Sequence, residues 1–191
     1  MHLARRAWCR TYQTVFRIAL PILPYTEPRI LEHAEDVPAV LQKRSIQKVL
    51  IVTDPGIARL GLTASLERAL TAQGIGVTVY AETRANPTVS NVEEAASLYR
   101  ESACQAIIGF GGGSAMDCAK GVGARIAQPN KPINKMRGLL RVHRLLPLLI
   151  AVPTTAGTGS EVTLAAVITD DETHYKYPIN DFVLIPRFAV H

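Results

Sequence analysis

At 191 residues the chain makes one domain with at most a small appendage, and such a chain can bury about 70% of the surface it exposes when unfolded. Its 48% hydrophobic and 19% charged content is that of an ordinary soluble protein. Three cysteines (Cys9, Cys104, Cys118) give neither an even set nor a Cys-x-x-C pair, which argues against a disulfide framework and a structural zinc site and for a reducing compartment.

Residues 1–27 begin with Arg5, Arg6 and Arg10 ahead of the apolar run Ile18–Pro24. That run is interrupted by two prolines and ends in Tyr-Thr-Glu, so it lacks a small-residue cleavage site and falls far short of the roughly 20 residues of a membrane span. An amphipathic arm packing on the domain or on a partner chain is expected. Lys48–Thr53 is a continuous apolar run of the kind that forms strands buried on both faces, closed by Asp54-Pro55-Gly56. Apolar residues at helical spacing predict a helix over 62–73, stopped at Gly74, and Val77–Tyr80 reads as the next strand. Asn86-Pro87-Thr88 forms a turn, after which Ser90 with Glu93 predicts a capping box opening a helix through Arg100. Ala106–Phe110 is a third strand, followed by a glycine cluster and a helix over 114–127.

From Cys118 to Ser160 there are seven Lys or Arg and no acid. The positive field suits an anionic ligand such as a dinucleotide. Nucleic acid is not expected, because the stretch has no Phe, Tyr or Trp to stack bases. Within it, Asn-Lys-Pro and Met-Arg-Gly read as a solvated loop and a surface helix. Leu148–Val152 is a fourth strand. Beyond Glu161, Val162-Thr163, Ala166–Thr169 and Tyr175–Tyr177 suggest an antiparallel hairpin with a polar tip. Strands separated by helices of a dozen residues need right-handed crossovers, so the fold class is α/β: a Rossmann-like parallel sheet with flanking helices, plus the hairpin.

Three segments carry chemistry. Gly109-Phe-Gly-Gly-Gly-Ser-Ala-Met-Asp117 joins a strand to a helix, so close backbone approach, free N–H groups and a positive dipole end coincide, as a pyrophosphate requires. It departs from the usual dinucleotide fingerprint, since Ser114 stands at the third glycine position, and it lacks the Gly-Lys-Ser/Thr of a P-loop. Pro153-Thr-Thr-Ala-Gly-Thr-Gly-Ser-Glu161 supplies a hydroxyl-lined wall after another strand. Asp54 could accept two hydrogen bonds from a ribose diol, and its charge would repel a 2′-phosphate, favouring NAD over NADP; alternatively it only starts a turn and helix. All three segments follow carboxyl ends of strands, the edge where open α/β sheets bind ligands.

Val52-Thr-Asp-Pro-Gly56, Asn86-Pro-Thr88, Gly111-Gly-Gly-Ser-Ala-Met-Asp117 and Pro153–Thr163, in this order and spacing, resemble the iron-containing (group III) alcohol dehydrogenases over about Pro28–Val190. The glycine loop is shared with the wider group that includes glycerol dehydrogenase and dehydroquinate synthase. The resemblance implies a cytoplasmic enzyme that moves hydride between NAD and an alcohol or aldehyde substrate and often forms homo-oligomers. It implies that Asp54 binds the adenosine ribose and that Asn86 lies near the cofactor. Gly112, Gly113 and Ser114 would cradle the pyrophosphate, with Asp117 towards the nicotinamide. Thr154, Thr155 and Thr158 would line the adenine and nicotinamide-ribose pocket, and Lys176 would reach the nicotinamide ribose.

In that family a helical domain follows and holds Fe²⁺ or Zn²⁺ on one Asp and three His, beginning with an Asp-x-x-x-His pair; the metal polarises the alcohol oxygen. Here no counterpart of those ligands is legible by His191, so the expectation is a chain of an arm (1–27) and a dinucleotide-binding domain (28–191), with the helical metal-binding domain missing and only cofactor binding retained. Asp170-Asp-Glu-Thr-His174 has the same spacing, but it falls at the hairpin tip, where residues four apart diverge, and is not expected to bind metal. Alternatives are a free-standing dinucleotide-binding module without a catalytic role and a related polyol or sugar-phosphate dehydrogenase, the latter disfavoured by Pro-Thr-Thr-Ala-Gly-Thr.

Overall fold

The computed structural model describes residues 10, 11, 13, 14 and 25–191, so the expected arm over 1–27 lies almost entirely outside the described residues. In chain order the first elements are β1 (Arg29–Leu31), α1 (Val37–Gln42), β2 (Lys48–Val52), α2 (Pro55–Arg59), α3 (Ala64–Ala72) and β3 (Gly76–Tyr80). Then come α4 (Val89–Glu101), β4 (Ala106–Gly111), α5 (Gly113–Ala127), β5 (Gly138–Leu139) and β6 (Leu148–Pro153). The chain continues through β7 (Ala165–Thr169), β8 (Lys176–Asn180) and β9 (Phe188–Val190).

The apolar runs become strands because both faces of the sheet are covered. Val49, Leu50, Ile51 and Val52 are all fully buried, and their side chains alternate between two cores. Leu50, Val52, Ile107 and Leu149 meet Val92, Ala95 and Ala96 of α4 and Cys118, Ala119 and Val122 of α5. On the other face Val49, Ile51, Ile108 and Ile150 meet Val37 and Leu41 of α1 and Leu66 and Leu70 of α3. The strands pair in parallel in the order β1-β9-β6-β4-β2-β3, a Rossmann-like sheet of six. Four of these strands are predicted from the sequence. β1 and β9 are not, since three residues each carry no readable period.

The predicted hairpin is present: β7 and β8 pair antiparallel from Ala165↔Asn180 to Thr169↔Lys176. Two-residue β5, absent from the sequence reading, joins β8 to complete a second, three-stranded sheet. The expected surface helix around Met-Arg-Gly is instead a short 3₁₀ turn over Ile133–Met136, with Ile133 and Met136 fully buried. Apolar side chains anchor this basic segment to the core and leave no room for a solvated helix.

Two helix starts also differ. α3 begins at Ala64, not 62, because residues 60–63 form a turn around Gly61, whose φ is +65°. The capping box of α4 uses Thr88 and Asn91, not Ser90 and Glu93: Thr88 Oγ1 accepts from Asn91 N at 3.3 Å and Asn91 Oδ1 accepts from Thr88 N at 3.2 Å. Thr88 itself is extended (φ −97°, ψ 168°), which is the backbone an N-cap needs, and Ser90 already lies inside the helix. Glu93 pairs with Arg125 of α5 at 2.7 Å.

Candidate functional site

After β2 the chain turns to α2 and α3 on one face of the sheet; after β4 it turns to α5 on the other. Strand order reverses between β2 and β4, and at such a point the two outgoing connections separate and leave a crevice beyond the carboxyl ends of the strands. A cleft of about 780 Å³ lies there, between Asp54–Leu60, Glu82–Ala85, Gly112–Ala115 and Thr154–Thr155. Six of the ten predicted site residues line it: Asp54, Gly112, Gly113, Ser114, Thr154 and Thr155.

Asp54 is the N-cap of α2, its Oδ1 accepting from Gly56 N at 2.8 Å and Ile57 N at 3.0 Å. The turn-and-helix-start role therefore holds for one oxygen. No protein donor reaches Oδ2 among the described residues, and it faces Gly111, where an added Cβ would lie 3.4 Å from it. One carboxylate thus fixes the turn and still presents an acceptor to the cleft.

The glycine loop is shaped by contact. Gly111 has φ +144°, and a Cβ there would stand 2.9 Å from Ala115 Cβ. Gly112 has an ordinary φ of −82° and caps α5, but a Cβ would come 3.1 Å from Thr155 Oγ1. At Gly113 it would come 3.3 Å from Ser160 Oγ and 3.8 Å from Thr158. The hydroxyl-rich loop therefore lies directly against the glycine loop, joined also by Thr154 N donating to Gly111 O at 3.0 Å. Fifteen-residue α5 points its amino end into this space, where free N–H groups and the helix dipole favour an anion. A dinucleotide fits this cradle: the glycines let the hydroxyl-rich loop close against the start of α5, whose free N–H groups face the cleft, and an acceptor waits at the neighbouring strand end.

The other four predicted residues lie around the cleft. Asn86 sits at φ +63° and donates its backbone N–H to Ser114 Oγ at 3.2 Å, tying the 86–88 turn to the glycine loop. Thr158 touches Gly113 as above. Asp117, one turn into α5, faces the hairpin: Oδ2 accepts from Val167 N at 3.1 Å, and burial pushes its carboxyl up against the opposing pull of that N–H and of Lys120. Lys176 is exposed at the start of β8, paired with Thr169, whose N–H donates to Pro87 O at 2.8 Å; it thus stands beside the Asn86 turn.

Sequence reasoning missed Arg59, Glu82, Thr83 and Arg84, which line the cleft. The rule that points to Asp54 also points to Glu82–Arg84, since they follow the end of β3. It missed Lys120 as well, fully buried on α5 three residues after Asp117.

Asp170 and His174 lie at the hairpin tip. Asp170 Oδ1 accepts from Glu172 N, Thr173 N and Thr173 Oγ1 at 3.2, 2.8 and 2.8 Å, and the contacts from Thr173 hold its carboxyl below the usual range. His174 takes φ +54°, so the pair does not share a helical face. Among the described residues no three His, Cys, Asp or Glu side chains group to hold a metal ion, and no helix is long and apolar enough to cross a membrane.

The chain is 38% identical to choline dehydrogenase of Bacillus subtilis over 134 residues, 69% of this chain and 33% of that protein. It superposes on an alcohol dehydrogenase from Oenococcus oeni with a TM-score of 0.80 at 33% identity, over 87% of this chain and 45% of that one. It superposes also on sulfoacetaldehyde reductase from Bifidobacterium kashiwanohense in complex with NAD⁺, with a TM-score of 0.74 at 29% identity, over 87% and 45%. The chain spans 33–41% of the length of the curated relatives it matches. Residues 30–191 match the family model of iron-containing alcohol dehydrogenase, and with the cleft, the glycine cradle and these likenesses in agreement, the chain belongs to that family.

Proposed function

We propose that these residues form the NAD(H)-binding part of a dehydrogenase that transfers hydride between the cofactor and an alcohol–aldehyde pair. The observation that carries the reading is the glycine cradle at the point where strand order reverses, where a Cβ at Gly112 would stand 3.1 Å from Thr155 Oγ1 beside the amino end of α5. A relative bound to NAD⁺ supports it.

In this reading the N–H groups from Gly112 to Ser114 bind the pyrophosphate. Asp54 Oδ2 accepts from the adenosine ribose diol, which selects against a 2′-phosphate. Thr154, Thr155 and Thr158 line the wall around the riboses, and Asn86 holds the rim in place through Ser114. Asp117 and Lys176 serve the nicotinamide end, a role resting on their match to the family motif. Bound nicotinamide supplies the hydride acceptor or donor. This chain's residues would hold it in the cleft through its phosphates and riboses. Fe²⁺ or Zn²⁺, where the family holds it, would polarise the alcohol oxygen. The substrate is a small alcohol or aldehyde, the enzyme is cytoplasmic, and homo-oligomers are the expected assembly. Of the cofactor sites named, Asp54 and Gly112 give the direct test: NADH binding, by fluorescence, that is lost in Gly112→Val and loses its preference over NADPH in Asp54→Asn.

A further inference from the structure

The hydroxyl-rich loop has few bonds of its own. Residues 154–158 are exposed, and Gly157 and Gly159 take φ of +84° and +64°. Its side-chain bonds are long: Ser160 N to Thr158 Oγ1 and Thr163 Oγ1 to Ser160 O are each 3.5 Å. Glu161 carries a buried Oε2 with no partner among the described residues. One end of the loop is fixed by Thr154 on Gly111. Its other end is fixed by Lys120, whose ammonium donates to Thr163 O at 2.8 Å, Thr163 Oγ1 at 3.0 Å and Ala165 O at 2.8 Å. All three donors of a fully buried ammonium are thus spent on one segment, and a lysine occupies that place although burying its charge is costly. Lys120 sits on the same helix whose amino end forms the glycine cradle, so its bonds set the loop directly against that cradle.

We propose that Lys120 is a positioning residue for cofactor binding: from α5 it holds the 154–163 loop where Thr155, Thr158 and Ser160 face the glycine loop. The proposal rests on the NAD(H) reading above. The ammonium form holds the loop most firmly: a neutral amine donates only to the two carbonyls and keeps its third contact only if the Thr163 hydroxyl turns to donate to the nitrogen. Burial lowers the Lys120 amine to about 8, against the opposing effect of the charged groups facing it, Asp117 from its own helix and Glu161 from the loop; β7 adds only Ala, Val, Ile and Thr side chains. Cofactor affinity should therefore fall as pH rises through 8.

The test is NADH titration by fluorescence of the full 191-residue chain, wild type, Lys120→Met and Thr163→Val, at pH 7.5 and 9.0, with amide hydrogen exchange on each. Lys120→Met is expected to weaken NADH binding at least tenfold and Thr163→Val several-fold. Exchange should quicken over 158–167 while β4 and β6 stay protected. Wild-type affinity should drop between the two pH values, and that of Lys120→Met should not. Variants that bind NADH within twofold of wild type overturn the proposal, even if they melt earlier. Should Lys120→Met fail to fold, Thr163→Val and the wild-type pH arm decide in the same way. A wild-type chain that binds no NADH overturns the cofactor reading and this one with it, whereas wild-type binding with unchanged variants overturns this one alone.

Discussion

Gly112 and Thr155 face one another across the floor of the cleft, so closely that a Cβ on Gly112 would lie 3.1 Å from the Thr155 hydroxyl. Because Gly112 has φ −82°, its glycine is demanded by space and not by backbone conformation. Gly112→Val should keep the fold, at a cost of about 1–2 kcal/mol for the crowding. It should abolish NADH binding, since the side chain pushes Thr155 and its loop away from the glycine loop and spoils the cradle. Urea unfolding paired with NADH fluorescence checks both halves; normal binding by the variant would place the pyrophosphate elsewhere.

Asp54 combines a cap with a charge, and two substitutions separate them. Asp54→Ala loses the acceptor for Gly56 N and Ile57 N and should cost about 1 kcal/mol. Asp54→Asn keeps an oxygen for the cap and should stay near wild-type stability, yet lose most of the preference for NADH over NADPH. Equal discrimination by Asp54→Asn and wild type would show that another group reads the 2′ position.

The buried amine of Lys120 also marks stability, with the opposite sign to its effect on affinity. Its folded value, about 8, lies below the unfolded 10.5, so above pH 8 the unfolded chain holds more of this proton and stability rises. Cys118 opposes it: burial raises the thiol from 9.0 to about 12, so its contribution is complete below pH 9 and is lost above it. Between pH 7.5 and 9, wild type should therefore gain about 1 kcal/mol relative to Lys120→Met. Urea unfolding of both proteins across that window measures it, and a constant difference would mean that Lys120 is not depressed.

Asp181 should matter to the fold. It is 4% exposed, and its carboxylate accepts from Val142 N at 2.9 Å, His143 N at 3.2 Å and Val183 N at 3.4 Å. Asp181→Ala leaves the buried Val142 N–H and two partly buried donors without this acceptor and should cost about 1–3 kcal/mol by urea unfolding. A loss below about 0.5 kcal/mol would show that water replaces the carboxylate.

Much of this was readable before the structure, for physical reasons. Leu50, Ile107 and Leu149 lie in long apolar runs, and a strand buried on both faces announces itself in that way. Asp54, Gly112 and Thr154 follow such runs, so a sheet with parallel strands brings them to one edge whatever the details. Contacts between distant segments leave no local pattern. Phe188–Val190 is a strand because Arg29–Leu31 and Ile150–Ala151 flank it. Asn91, not Glu93, closes the capping box because the same amide also donates to Glu82 O and Tyr80 Oη. Lys120 is not legible in the sequence because its partners, Thr163 and Ala165, lie more than forty residues away.

The central claim, that the cleft between β2 and β4 binds NAD(H), is tested most directly by isothermal titration of the 191-residue chain with NADH and NADPH, beside Gly112→Val. The account predicts saturable one-to-one binding of NADH, weaker binding of NADPH, and no heat of binding in the variant. Equal or tighter binding of NADPH would contradict the role of Asp54, and NADH binding that survives Gly112→Val, or no binding at millimolar NADH, would contradict the site itself.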